Sequence, residues 1–209
     1  VDSTKHLGVI LDTCLSWNLH IDSLCLKLGS AIFALKRVNS VCTEKAVKMS
    51  YHALFESHLR YGIILWGESS CQNMQRVFLM QKRAIRAMTG LPPRESCRER
   101  FRDLQIFTVF SLYIYEVMLY ASQQNLTRNM DIHNHQTRFA RNFNIPAHRT
   151  VLYTKKPSYA GAKLLNLLPA STMDVPARTF KKWLQNWLLE DPVYSMEEFF
   201  ERARVLREE

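Results

Sequence analysis

The chain has 209 residues, with 28 Lys and Arg against 19 Asp and Glu, and a net charge of +9 with His neutral. At 47% hydrophobic and 22% charged residues it is not a disordered tail, and six Gly with seven Pro exclude collagen-like or linker-like chains. The length allows one domain or two small ones, enough for a hydrophobic core.

In chain order, the run from Leu7 to Leu11 suits a short buried strand. A helix is expected from about residue 19 to 38, because Ile21, Leu24, Cys25, Leu28, Ala31, Ile32, Leu35 and Val38 recur at helical steps. Thr43 is a fitting N-cap for a second helix, with Val47, Tyr51, Leu54, Phe55, His58 and Leu59 on one face. Gly62 and Gly67 bracket an apolar patch. A third helix over about 72–89 carries Met74, Val77, Phe78, Gln81, Ile85 and Met88 inward, and it ends at Gly90 before Pro92 and Pro93. Residues 95–104 read as a short basic helix with Arg98, Arg100 and Arg102, followed by an apolar helix over 108–123. Ile106 to Ala121 is nearly all apolar but short for a bilayer span and carries Glu116, so burial among other helices is the expectation. Residues 124–160 show no sustained period and read as a long ordered loop or short strands. A helix over 160–168 stops at Pro169. Pro176 suits the first turn of another over 176–189, lined by Phe180, Trp183, Leu184, Trp187 and Leu188. Ser195 and Glu198 form a capping box for the last helix. The fold class expected is mostly α, a helical bundle with a short N-terminal β segment and a long, partly irregular middle loop.

The basic excess is central. Residues 76–103 carry a net +5 and residues 104–190 a net +6, against +1 before and −3 after. Such a block suits contact with a polyanion. Two clusters stand out. One is the outer side of the 72–89 helix, with Arg76, Lys82, Arg83 and Arg86. The other is Arg138, Arg141, Arg149, Lys155 and Lys156, interleaved with Phe139, Phe143 and Tyr153, a pattern in which bases stack on rings and cations meet phosphates. The bland alternatives are a solvated basic face for the first and aromatics that pin a loop for the second.

Five Cys, at 14, 25, 42, 71 and 97, are odd in number, widely spaced and without a CxxC. They form neither a disulfide framework nor a zinc site, and they favour a reducing compartment. With no charged-then-apolar leader, an intracellular location, nuclear or cytoplasmic, is expected rather than secretion. His133 and His135 make an H-x-H pair that reads as a surface pair rather than a metal site. Cys25 lies on a core stripe and Ser57-His58 are helical neighbours, so neither reads as a nucleophile. Asn125-Leu-Thr127 matches a glycosylation sequon that an intracellular chain would not use.

Several segments, taken together, resemble one family. Leu7-Gly8-Val9, Leu11-Asp12, Leu15, Trp17 and His20-Ile21 look like the segment after the catalytic palm in non-long-terminal-repeat retrotransposon reverse transcriptases of the jockey, LINE-like kind. Tyr51-His52-Ala53-Leu54, Ser57-His58-Leu59, Tyr61-Gly62 and Leu65-Trp66-Gly67 follow in the same order. Leu79, Gln81 through Arg86, and Thr89-Gly90 are similar to that family's "LQKRAIRxxxG" helix. His133, His135, Thr137-Arg138, Pro146, Arg149, Tyr159, Gly161, Asn166 and Leu168-Pro169 resemble its "H…TR…P…R…Y.G…WN.LP" stretch, with Leu165 where a Trp is common. Phe180-Lys181-Lys182 and Leu188-Leu189 suit its closing helix.

The resemblance implies three parts: residues 1–17 as the end of a palm and primer-grip-like segment, 18–123 as a thumb-like helical domain, and 124–209 as a C-terminal region. It implies contact with RNA or DNA template–primer, with an upstream palm as the other partner, and no membrane. The family's polymerase holds magnesium on adjacent aspartates, as in "YADD" or "FADD", placed before the "LGV" strand. No Asp-Asp pair occurs in this sequence, so no cofactor and no catalytic residue are expected in the chain itself. The expected function is that of a C-terminal fragment of a retrotransposon-derived RNA-directed DNA polymerase, binding nucleic acid without chemistry of its own. The alternative is a helical protein–protein module, with the 108–123 helix and the Trp183/Trp187 stripe as its surfaces. A standalone enzyme is disfavoured, since no compact catalytic constellation appears.

Overall fold

The computed structural model describes residues 2–132, 137 and 139–208, and its chain divides into two compact units, 1–109 and 110–209. His133, His135, Gln136 and Arg138 lie outside the described residues. Helices dominate both units, and a two-stranded antiparallel sheet is the one sheet among the described residues.

The first unit opens with β1 (Ser3–His6) and β2 (Val9–Asp12), paired with His6 opposite Val9. The expected single strand is thus a hairpin. Leu7 at φ 45° and Gly8 at φ 81° make the two-residue turn, which needs two left-handed residues in succession. Leu7 is consequently exposed at the tip, and Val9 is the hairpin's buried side chain.

α1 (Asn18–Asn39) buries Ile21, Leu24, Leu28, Ala31, Ile32 and Leu35, along with His20. α2 (Glu44–Ser50) begins at Thr43, whose hydroxyl accepts the Ala46 amide. The helix then widens into a π-helical segment (Tyr51–Glu56) before α3 (Ser57–Arg60). The wider turn keeps Tyr51, Phe55 and Leu59 inward at four-residue spacing. On the outer side His52 and Arg60 both bond the Glu56 carboxylate. Gly62, at φ 66°, starts α4 (Ile63–Trp66).

α5 (Cys71–Thr89) is capped by the Ser70 hydroxyl and terminated by Gly90 at φ 71°. It packs along α1, with Gly29 against Met80 and the Asn39 amide on the Ala87 carbonyl. α6 (Arg98–Asp103) follows and inserts Phe101 beside Phe78.

α7 (Val109–Ser122) starts where the second unit begins. Its 14 residues are buried almost all round, with Glu116 half-buried. No helix among the described residues is long and apolar enough to cross a membrane. The stretch read as a loop or strands contains instead α8 (Asn129–Ile132), one isolated bridge between Arg128 and Phe143, and α9 (Val151–Thr154). α10 (Pro157–Leu165) begins three residues before the expected helix, with Pro at its first position. A Cβ at Gly161 would lie 2.3 Å from the Ala121 Cβ and 2.8 Å from the Val117 carbonyl oxygen, so α10 crosses α7 at a contact only glycine permits. A 3₁₀ turn (Ala170–Thr172) leads to α11 (Ala177–Glu190). Pro176 is its N-cap, in extended backbone, rather than a first-turn residue. α12 (Met196–Glu208) has the expected cap: the Ser195 hydroxyl accepts the Glu198 amide, and the Glu198 carboxylate accepts the Tyr194 amide.

Candidate nucleic-acid interface

The motif residues of the first unit meet around the hairpin, and their work there is structural. The Asp12 carboxylate accepts the amides of Cys14, Ser16 and Trp17 and the Ser16 hydroxyl, all at 3.0–3.1 Å. The Ser16 amide above all, with the other donors, holds that carboxyl below the usual carboxylate range. This turn sets Trp17 at φ 67° in front of α1. The rings of Trp17 and Trp66 both lie 6.2 Å from that of His20, whose Nδ1 accepts the Ile10 amide. Burial, aided by Lys27, pushes the His20 pKa down, so the ring is neutral. The Tyr61 hydroxyl donates to the Leu7 carbonyl, and the Trp66 indole donates to the Tyr61 carbonyl. The segments 7–21 and 58–67 are therefore one joint.

A second polar centre lies at Gln81, which is fully buried. Its amide nitrogen donates to the Tyr51 hydroxyl and the Phe107 carbonyl, each at 2.8 Å, and its oxygen accepts the Val109 amide at 2.7 Å. This side chain therefore joins the π segment, α5 and the start of α7. Sequence reading placed Gln81 on the core stripe without a reason for a polar residue there.

The basic side of α5 is not uniform. Arg76 is bonded to Asp22 of α1. Lys82 rests its ammonium 4.6 Å over the Phe78 ring. Arg86 donates to the carbonyls of Pro92 and Glu95, tying down the turn after the helix. Arg86, expected among the phosphate-contacting cations, thus also organises backbone. Arg83 is exposed and bonds the Met80 sulfur within its own helix. The α1–α5 register puts Arg83 between the Gly29–Met80 and Asn39–Ala87 contacts, and Lys36 and Arg37 in the last turn of α1 are exposed as well. Those two were missed because their charge lies in the last turn of another helix, and no pattern within α5 points to them.

In the second unit, Arg141, Arg149 and Lys156 are exposed and Lys155 is half-buried. Phe143 is held by Asn166, which accepts its amide at 2.7 Å and donates to its carbonyl at 2.9 Å. Arg128, bonded to Asp174, covers the Phe143 ring. Phe143 therefore belongs to the anchoring of the loop. Tyr153 instead joins His148 and Tyr159 in a ring cluster. On α11, Arg178, Lys181 and Lys182 are exposed around Trp183, which stacks on Trp187 at 5.5 Å. The burial of α7 withdraws it as a partner surface.

Cys25 and Cys97 have thiols raised chiefly by burial, which keeps them protonated and unreactive. Among the described residues no group of three or more His, Cys, Asp or Glu could hold a metal ion.

The chain is 30% identical over 108 residues, 50% of its length, to a protein of Drosophila melanogaster described as "Probable RNA-directed DNA polymerase from transposon BS". It spans 12% of that protein's length. No family model matches the chain, and no solved structure matches it. Half of the chain is thus similar to a region of a transposon polymerase.

Proposed function

We propose that this chain is the thumb and downstream part of a jockey, LINE-like reverse transcriptase, gripping template–primer nucleic acid without a nucleotidyl-transfer site of its own. The observation that carries this reading is the similarity over 108 residues to a transposon polymerase. The cations on the α1–α5 pair support it, since Lys36, Arg37 and Arg83 are all exposed on two packed helices. Cations so placed meet phosphates and position a duplex without reading its sequence. The metal-holding carboxylates of such a polymerase would belong to its palm, which this chain would complete rather than replace.

Binding of a primer–template duplex across a salt series tests the proposal. Arg83→Ala, Lys36→Ala and Arg37→Ala each remove one cation, and each should lower the slope of log affinity against log salt by roughly 0.9. Melting temperature should hold, because exposed cations contribute little to stability. An unchanged slope in all three variants removes this face from the interface.

A second reading, a protein–protein module, rests on Leu26 and Phe33, exposed on α1 at 76% and 63%. Apolar association would barely respond to salt, and that separates the two.

A further inference from the structure

Within the second unit a cavity of about 170 Å³ opens between segments 125–127 and 144–146 and the corner of α9 and α10. At about 30 Å³ per water it has room for one small ring system, and none for a helix or a duplex. Tyr153 and Tyr159 line it and meet edge to face at 5.8 Å, with His148 parallel to Tyr153 and edge-on to Tyr159. Asn125, Asn144 and Ser158 also line it, and their side chains make no hydrogen bond among the described residues. The backbone of Asn144 is nevertheless fixed, its amide donating to the Thr127 carbonyl at 2.8 Å.

The surrounding charge is basic. Lys156 lies 4.8 Å over the Tyr153 ring, Lys155 precedes it, and Arg149 is exposed nearby in the chain. A lysine over a half-buried ring is a weak and mobile cover, and a stacked base outweighs it. The displaced ammonium can then meet the adjoining phosphate.

We infer that this cavity is a subsite for one unpaired nucleobase of a single strand, resting on the nucleic-acid reading above but independent of the duplex grip. Tyr153 and Tyr159 supply the stacking surface. The Asn125 and Asn144 amides, each able to donate and accept, meet the base edge. Lys155 and Lys156 take the flanking phosphates.

The probe is a labelled single-stranded oligouridylate of about ten nucleotides, within the range of known single-strand sites, set against a fully paired duplex. Tyr153→Ala should weaken oligouridylate binding about tenfold, leave duplex affinity unchanged and leave the salt slope intact, because stacking releases no counterions. Lys156→Ala should instead shrink the slope by roughly 0.7. Asn144→Ala, which removes no bond from the fold, should also weaken single-strand binding several-fold, and it stands in if Tyr153→Ala lowers the melting temperature. Oligouridylate affinity unchanged in both Tyr153→Ala and Asn144→Ala overturns the subsite, as does absence of single-strand binding in the unmodified chain. Single-strand binding that responds to these variants while the duplex is ignored sustains the subsite and overturns the duplex grip alone.

Discussion

In the first unit, α1 alone buries seven side chains against its neighbours, and the hairpin, the 44–60 helical run and α5 each add to the same apolar interior. In the second, no described residue from 122 to 159 is buried, yet that stretch has definite structure. It is held by a few backbone bonds, such as Asn144 on Thr127, and by single side chains: Asn166 on the Phe143 backbone, Asn129 on the Phe139 carbonyl, and Arg128 paired with Asp174. Where burial is shared among many residues, each contributes a part and the pattern is redundant. Where a segment hangs on one amide or one glycine, each such residue decides the local fold.

The strongest test of that difference attacks the first unit at the buried polar centre on Gln81. Gln81→Leu would fill the same space but leave the buried Val109 amide and Tyr51 hydroxyl without their Gln81 partner. Each buried group so orphaned costs about 1–3 kcal/mol, so a loss of about 4 kcal/mol is expected in denaturant unfolding. Leu79→Ala, an exposed position two residues away, should cost well under 1 kcal/mol. If Gln81→Leu is as mild as Leu79→Ala, the first unit has no such centre and is held by apolar burial alone.

In the second unit the corresponding weak point is steric. Gly161→Ala puts a methyl 2.8 Å from the Val117 carbonyl oxygen, which is backbone and can move only with its helix. Overpacking of this kind costs about 3 kcal/mol at the upper end of its usual range. Ala121→Gly in the same chain should recover part of that loss by relieving the 2.3 Å clash. Thermal unfolding of the single and double variants checks both statements. A Gly161→Ala chain that melts like the unmodified one would mean that α7 and α10 part without loss.

The two units also differ in how far their residues disclose them. The stripes at Ile21–Leu35 and Met74–Met88 follow helical spacing, so α1 and α5 could be read within one or two residues. The Leu7–Leu11 run holds β2 in its second half, but the run does not disclose the chain reversal that the left-handed Leu7-Gly8 pair makes. The π segment has no period of its own to betray it. Residues 124–160 were illegible for a physical reason: their order comes from partners 10 to 46 positions away, such as Phe139 for Asn129 and Asp174 for Arg128. Of the candidate interface, the charge of α5 was legible, but not which cation is open to a ligand. Arg76 and Arg86 differ from Arg83 only through Asp22, Pro92 and Glu95.

The mildest effect expected lies at the joint of the first unit, and it turns on a single proton. His20 is 6% exposed, burial depresses its pKa below 6.5, and Lys27 adds to the depression. The unfolded chain takes up a proton on this ring as pH drops through about 6.5, and the folded chain does not, so the folded state loses stability over that window. The Glu56 carboxyl titrates lower, since the His52 and Arg60 bonds overcome the burial that opposes its ionisation, and it stays outside the window. Melting temperature measured from pH 7.5 down to pH 5 should therefore fall more steeply in the unmodified chain than in His20→Asn, with the two curves converging as the histidine's neutral-state advantage disappears. Parallel curves would show that His20 takes its proton without disturbing Trp17 and Trp66. The hairpin would then be held by Asp12, Tyr61 and Val9 rather than by the neutral ring, and the first unit would contain one position as forgiving as any in its apolar faces.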